Sequence, residues 1–148
     1  MFVIEKEVEI KAPAAVVWEV ITDLARYPEW NPFCLQCEST LKPGDPITMT
    51  VKLMAKPQTQ VEVMLEYLEG KRFAYCMKPV SGMLSSYRAH DVEPLGAERT
   101  RYRSTFHLKQ WFRVVVLTLF QKKLEAGFAG MTDAVKQRAE MLWAQRKP

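Results

Sequence analysis

The first ten residues set a rhythm of two. Phe2, Ile4, Val8 and Ile10 alternate with Val3, Glu5, Glu7 and Glu9, which predicts a strand with one buried face, interrupted by Lys6. The rhythm then lengthens. Pro13 suits the start of a helix, and Val16, Val17, Val20, Ile21 and Leu24 fall on one helical stripe. Pro28 and Pro32 forbid a long continuation, so Ala25 to Trp30 is at most a short second helix. That corner, DLARYPEWNPF, is dense in aromatic surface: Tyr27, Trp30 and Phe33.

From Phe33 onward the pattern is again of strands, at about 33–39, 46–54, 60–68, 72–78, 84–93 and 99–109. The breaks KPGDP, AKPQT, EGK, KPVSG and EPLGAE all carry Gly or Pro turn chemistry. Connections this short suit an antiparallel meander, because a parallel βαβ unit needs about 30 residues. Three strands show clear faces. Ile47, Met49, Val51 and Leu53 oppose Thr48, Thr50 and Lys52; Val61, Val63, Leu65 and Tyr67 oppose Glu62, Met64 and Glu66. Thr100, Tyr102, Ser104, Phe106 and Leu108 oppose Arg99, Arg101, Arg103, His107 and Lys109.

The tail, about Arg113 to Gln145, reads as one long helix with Leu117, Leu124, Phe128, Met131, Val135 and Leu142 on a shared stripe. Gly127 and Gly130 lie inside it, implying either close packing against a neighbour or a bend beside the sheet. The order is therefore β-α-α-β6-α, an α+β arrangement. The long helix must cover one face of a seven-stranded antiparallel sheet, since no other element is large enough.

Composition narrows the class. With 148 residues, 48% hydrophobic and 26% charged, the chain suits one soluble domain spanning 1–148. Charges from Glu5 onward argue against a signal peptide, and the longest apolar run, VVVLTLF, is far short of a bilayer span of about 20 residues. A cytoplasmic location and no stable membrane insertion are expected. The three cysteines do not suggest a disulfide framework. CLQC (34–37) spells a C-x-x-C motif, but in a strand its two thiols should point to opposite faces, and no second ligand pair exists for a metal. A net charge of +4 permits an acidic ligand without demanding one.

APAAVVWEVITDLARYPEWNPF (12–33), the six-strand meander and FAGMTDAVKQRAE (128–140) together resemble the START/Bet v 1-like (SRPBCC) superfamily, in its polyketide cyclase/dehydrase-type group. The resemblance spans essentially the whole chain. It implies a helix-grip fold, a curved sheet wrapped around the C-terminal helix, with an internal cavity for a lipophilic small molecule such as a lipid, polyketide or quinone. YPEWNPFC (27–34) is also similar to the quinone-binding branch, whose aromatic-rich sixth strand is not matched by SSYRAHDVEP. The superfamily shares no catalytic residues, so function must be argued from the site.

On that expectation, Tyr27, Trp30 and Phe33 plug the mouth between the short helices and the sheet. Met49, Val51, Val63, Met77, Phe106, Leu124, Phe128 and Met131 supply apolar lining, and the methionines can adapt its volume. If Leu84 and Val92 face inward, so do Arg88 and His90. Arg88 then either snorkels to solvent or anchors a ligand oxygen, and His90 is either structural or a proton shuttle. Tyr75, Tyr102 and Ser104 add hydroxyls. Arg88, His90 and Tyr102 are the candidates for catalysis, should the chain be an aromatase/cyclase-type enzyme rather than a carrier; a third alternative is a protein-interaction module. No cofactor or metal is expected.

Two surface features complete the reading. Arg99, Arg101, Arg103, His107 and Lys109 form a basic outer stripe, better explained as a solvated sheet face than as a nucleic-acid site. WFRVVVLTLF (111–120) is apolar nearly all round, fit to be buried, to pair two subunits, or to touch a membrane.

Overall fold

A computed structural model describes residues 1–78 and 82–147. Its elements are β1 (Phe2–Ile10), α1 (Ala14–Thr22), a 3-10 turn at Leu24–Arg26, α2 (Tyr27–Trp30), β2 (Cys34–Ser39), β3 (Pro46–Val51), β4 (Gln58–Leu68), β5 (Arg72–Met77), β6 (Ser85–Gly96), β7 (Arg99–Lys109) and α3 (Arg113–Arg146). The strands form one seven-stranded antiparallel sheet in the order β1-β7-β6-β5-β4-β3-β2. The chain thus starts at one edge, crosses over through the short helices to the other, and returns strand by strand. This is the helix-grip arrangement expected from the sequence.

The helical stripes fall where their spacing puts them. Val16, Val17, Val20, Ile21 and Leu24 are buried, as are Leu124, Phe128, Met131 and Val135 of α3. Some boundaries move. β3 ends at Val51, three residues early, and β6 runs on through Pro94 and Leu95, with an irregular register between Pro94 and Gly96 absorbing the proline. The KPVSG turn covers 78–82, of which 79–81 lie outside the described residues.

Two bulges overturn face assignments. In β4 the register shifts between Met64 and Glu66, leaving Leu65 as the extra residue. Over the first half of the strand Glu62 and Met64 therefore point inward while Val61 and Leu65 are exposed. Beyond the bulge the phase is restored, and Tyr67 packs on Trp18 with centroids 5.7 Å apart. In β2 a shift between Cys34 and Gln36 turns both Cys34 and Cys37 into the core, against the opposite-face expectation.

The basic stripe on β7 is not free charge. Arg99 pairs with Glu9, Arg101 with Glu7 and Glu93, and Arg103 with Glu5 and Glu7, at 2.5–3.3 Å. These exposed pairs form a ladder along edge strand β1, and solvent screening leaves each of them little weight in stability.

Candidate functional site

The aromatic corner is held by two polar contacts. The Tyr27 hydroxyl donates to the Ile21 carbonyl at 2.6 Å, closing the end of α1, and the Tyr27 and Trp30 rings meet edge to face. Asn31 Oδ1 accepts from the amides of Phe33 and Cys34 at 3.0 and 2.9 Å, which aims the first residues of β2. Phe33 is thereby pressed against α3. A Cβ on Gly127 would overlap its ring, and Phe128 meets it edge to face at 5.0 Å. Close approach explains Gly127; the Cβ position of Gly130 is 3.9 Å from Pro32, an ordinary contact.

Between this end of α3 and the sheet lies a cavity of about 510 Å³. The helix contributes Val116, Phe120, Leu124, Phe128 and Met131. The sheet contributes Cys34, Met49, Val51, Glu62, Tyr75, Met77, Ser86, Arg88, Phe106 and Leu108, with Phe33 closing one end. Gln60 and Val61, exposed residues of the lining, mark the mouth, together with Leu53 and Leu84. Grooves of similar volume beside Asp91 and Gln36 lie on the outer faces of the sheet.

Most residues expected at the cavity are there: Phe33, Met49, Val51, Tyr75, Met77, Arg88, Phe106, Leu124, Phe128 and Met131. Six are not. Tyr27 and Trp30 pack the corner away from the mouth, and Val63 is turned out by the β4 bulge. His90, Tyr102 and Ser104 share the inward face but sit deeper, outside the lining. His90 Nδ1 lies 2.6 Å from the Tyr102 hydroxyl, and its ring stacks on Phe73 at 4.5 Å. Burial, with Arg88 adding, holds the His90 imidazole well below the usual histidine range, so it stays neutral.

Arg88 is 4% exposed. Its Nη1 donates to Ser104 Oγ at 2.6 Å and to the carbonyls of Ala89 and Thr105 at 3.2 and 3.3 Å. Its Nη2 meets the Met131 sulfur at 3.6 Å, a weak acceptor, and the guanidinium lies over the Phe128 ring at 4.8 Å. Among the described residues no carboxylate pairs with it. A guanidinium keeps its charge under all ordinary conditions, so this is a buried cation presented to an apolar hollow.

Glu62 is the residue that sequence reasoning missed. Only 9% exposed, it lines the cavity from β4, and burial pushes its carboxyl up to about 7 against the lowering pull of Arg88 and of the Ser86 hydroxyl. The period-2 reading of β4 follows Val61, Val63, Leu65 and Tyr67 and so turns Glu62 outward, because the bulge is not written in the alternation. Among the described residues, no group of three or more His, Cys, Asp or Glu side chains is arranged to hold a metal ion, and no helix is long and apolar enough to cross a membrane.

Residues 1–140 match the family model described as polyketide cyclase / dehydrase and lipid transport. The chain belongs to this family. Solved structures agree on the fold. A START superfamily protein from Mycobacterium smegmatis aligns with a TM-score of 0.74 at 16% identity, over 95% of this chain and 98% of that one. The Zhui aromatase/cyclase from Streptomyces sp. R1128 aligns at 0.70 and 19% identity, over 98% and 94%. Norcoclaurine synthase from Thalictrum flavum, crystallised with dopamine and hydroxybenzaldehyde, aligns at 0.67 and 18% identity, over 99% and 88%. At such identities the likeness is one of fold, and this family member's ligand has to be read from its own cavity. No curated protein matches the chain.

Proposed function

We propose that the protein binds a lipophilic small molecule carrying an anionic or strongly polarised oxygen, held in the cavity between α3 and the sheet. The observation that carries this reading is Arg88, a buried cation with no carboxylate partner among the described residues, facing a lining that is otherwise largely apolar. Burying a charge without a counter-ion is costly. A ligand carboxylate, phenolate or enolate at Nη2 would offset that cost, while the hydrocarbon body fills the space against Val116, Phe120 and Leu124.

A cyclase reaction in the same cavity is the second reading. It needs a proton acceptor at the substrate; His90, the first candidate from sequence, lies outside the lining with its Nδ1 at the Tyr102 hydroxyl, which leaves that role to the Glu62 carboxyl. Binding is the better supported function, since it asks of the lining only the Arg88 charge and the apolar surface around it. Native mass spectrometry of protein purified without detergent, followed by solvent extraction, tests it. The expected result is a stoichiometric lipophile bearing an acidic or carbonyl oxygen, lost in Arg88→Met. A protein that carries no such mass, and whose melting temperature no apolar anion raises, refutes the reading. Turnover of a poly-β-ketone, abolished by Arg88→Ala, would favour the enzyme instead.

A further inference from the structure

The cavity has a second polar pole. Glu62 on β4 pairs across the sheet with Met77, and the Met77 amide donates to Ser86 Oγ at 3.3 Å, so Glu62, Met77 and Ser86 form one row. The next row inward holds Tyr75 paired with Arg88. Glu62 and Arg88 are thus two strands and two residues apart, roughly 12 Å between their backbones at ordinary sheet spacings. They form no ion pair with each other, yet both look into the same hollow. No acid is needed there for packing, since the neighbouring lining is Met77, Val116 and Phe120.

We infer that Glu62 accepts a hydrogen bond from the ligand, so that the cavity selects lipophilic acids bearing a hydroxyl or enol O–H at the end opposite the acidic oxygen. The inference rests on the binding role proposed above. An ionised carboxylate accepts strongly but cannot donate, whereas Arg88 donates and cannot accept. A molecule spanning the two poles must therefore carry an acceptor at one end and a donor at the other. A plain fatty acid satisfies Arg88 and leaves Glu62 desolvated with only the Ser86 hydroxyl beside it, which makes the discrimination larger than one hydrogen bond alone. Tyr75, beside Arg88 on the strand between the two poles, can serve either kind of group.

Two rigid probes separate the poles: 2-naphthoate, an acid with no donor, and 6-hydroxy-2-naphthoate, the same acid with a phenol at the far end. Affinities are measured by calorimetry at pH 8, where Glu62 is mostly ionised and the probe phenol is not. The charged or titratable groups around Glu62 are Arg88, Tyr75, Cys34, Cys37 and Cys76; the α3 side of the lining has none. The hydroxylated probe should bind about tenfold tighter or more, the value of a charge-assisted hydrogen bond. Glu62→Val should erase that ratio while 2-naphthoate still binds. Glu62→Gln, which keeps the shape, should reduce it and serves if the valine variant does not fold. A ratio near one in the wild type, or one that survives in both variants, overturns the inference. Failure of 2-naphthoate itself to bind, or binding indifferent to Arg88→Met, overturns the underlying binding role, and with it the inference.

Discussion

Replacing Glu62 by glutamine should make the protein more stable, by an amount that depends on pH in a defined way. The carboxyl titrates at about 7 in the folded chain against an ordinary value of 4.5. That gap corresponds to about 3 kcal/mol. The sign follows from proton binding. Between the two values the folded protein holds a proton that the unfolded chain has lost, so stability falls as pH rises from 4.5 through 7 and is lowest above that. Glutamine carries no charge to desolvate. Glu62→Gln should therefore match the wild type near pH 4.5 and exceed it by about 3 kcal/mol at pH 8, or roughly 6–12 °C in melting temperature for a chain of this size. The measurement is thermal unfolding of both proteins, stripped of lipophiles, at half-unit steps of pH. Taking the difference at each pH cancels His90 and the surface pairs, which both proteins share. A difference that stays flat from pH 5 to 8 would mean that Glu62 is solvated rather than buried, and the two-pole cavity would go with it.

Further outcomes follow from particular contacts. Gly127→Ala should lose about 1 kcal/mol or more in urea denaturation despite a better helix former, because its methyl meets the Phe33 ring, whereas Gly130→Ala should gain up to about 1 kcal/mol. Asn31→Ala should cost about 2 kcal/mol by the same measurement, as it strands the Phe33 and Cys34 amides; part is recovered by removing Nδ2, which has no partner among the described residues. The depressed His90 value works in the opposite direction to Glu62: below pH 6.5 the unfolded chain takes up a proton that the folded one refuses, so stability drops on acidification. His90→Gln should flatten that acid limb in the same thermal series.

What was legible in the sequence was whatever repeats with a fixed period. The stripes of α1 and α3 and the faces of β3 and β7 appear where 3.6 and 2 place them. β4 was misread because both its faces carry apolar side chains, Val61 and Val63 on one and Met64 on the other, so the pattern could not outvote a bulge. CLQC failed for the same reason, a shift of register between Cys34 and Gln36. Period also carries no depth. Arg88, His90, Tyr102 and Ser104 all point inward, yet Arg88 reaches the hollow and the others lie beneath it, since height above α3 depends on sheet curvature rather than alternation.

The extra residue at Leu65 also bears on how such a pocket diverges. Were the bulge ironed out with Leu65 taken into the ladder, the front half of β4 would rotate by one side chain, withdrawing Glu62 and Met64 and offering Val61, Val63 and Leu65 instead, while Tyr67 kept its place against Trp18. A hollow with the acid and one without it are then two registers of one strand, separated by the bulge rather than by a series of substitutions.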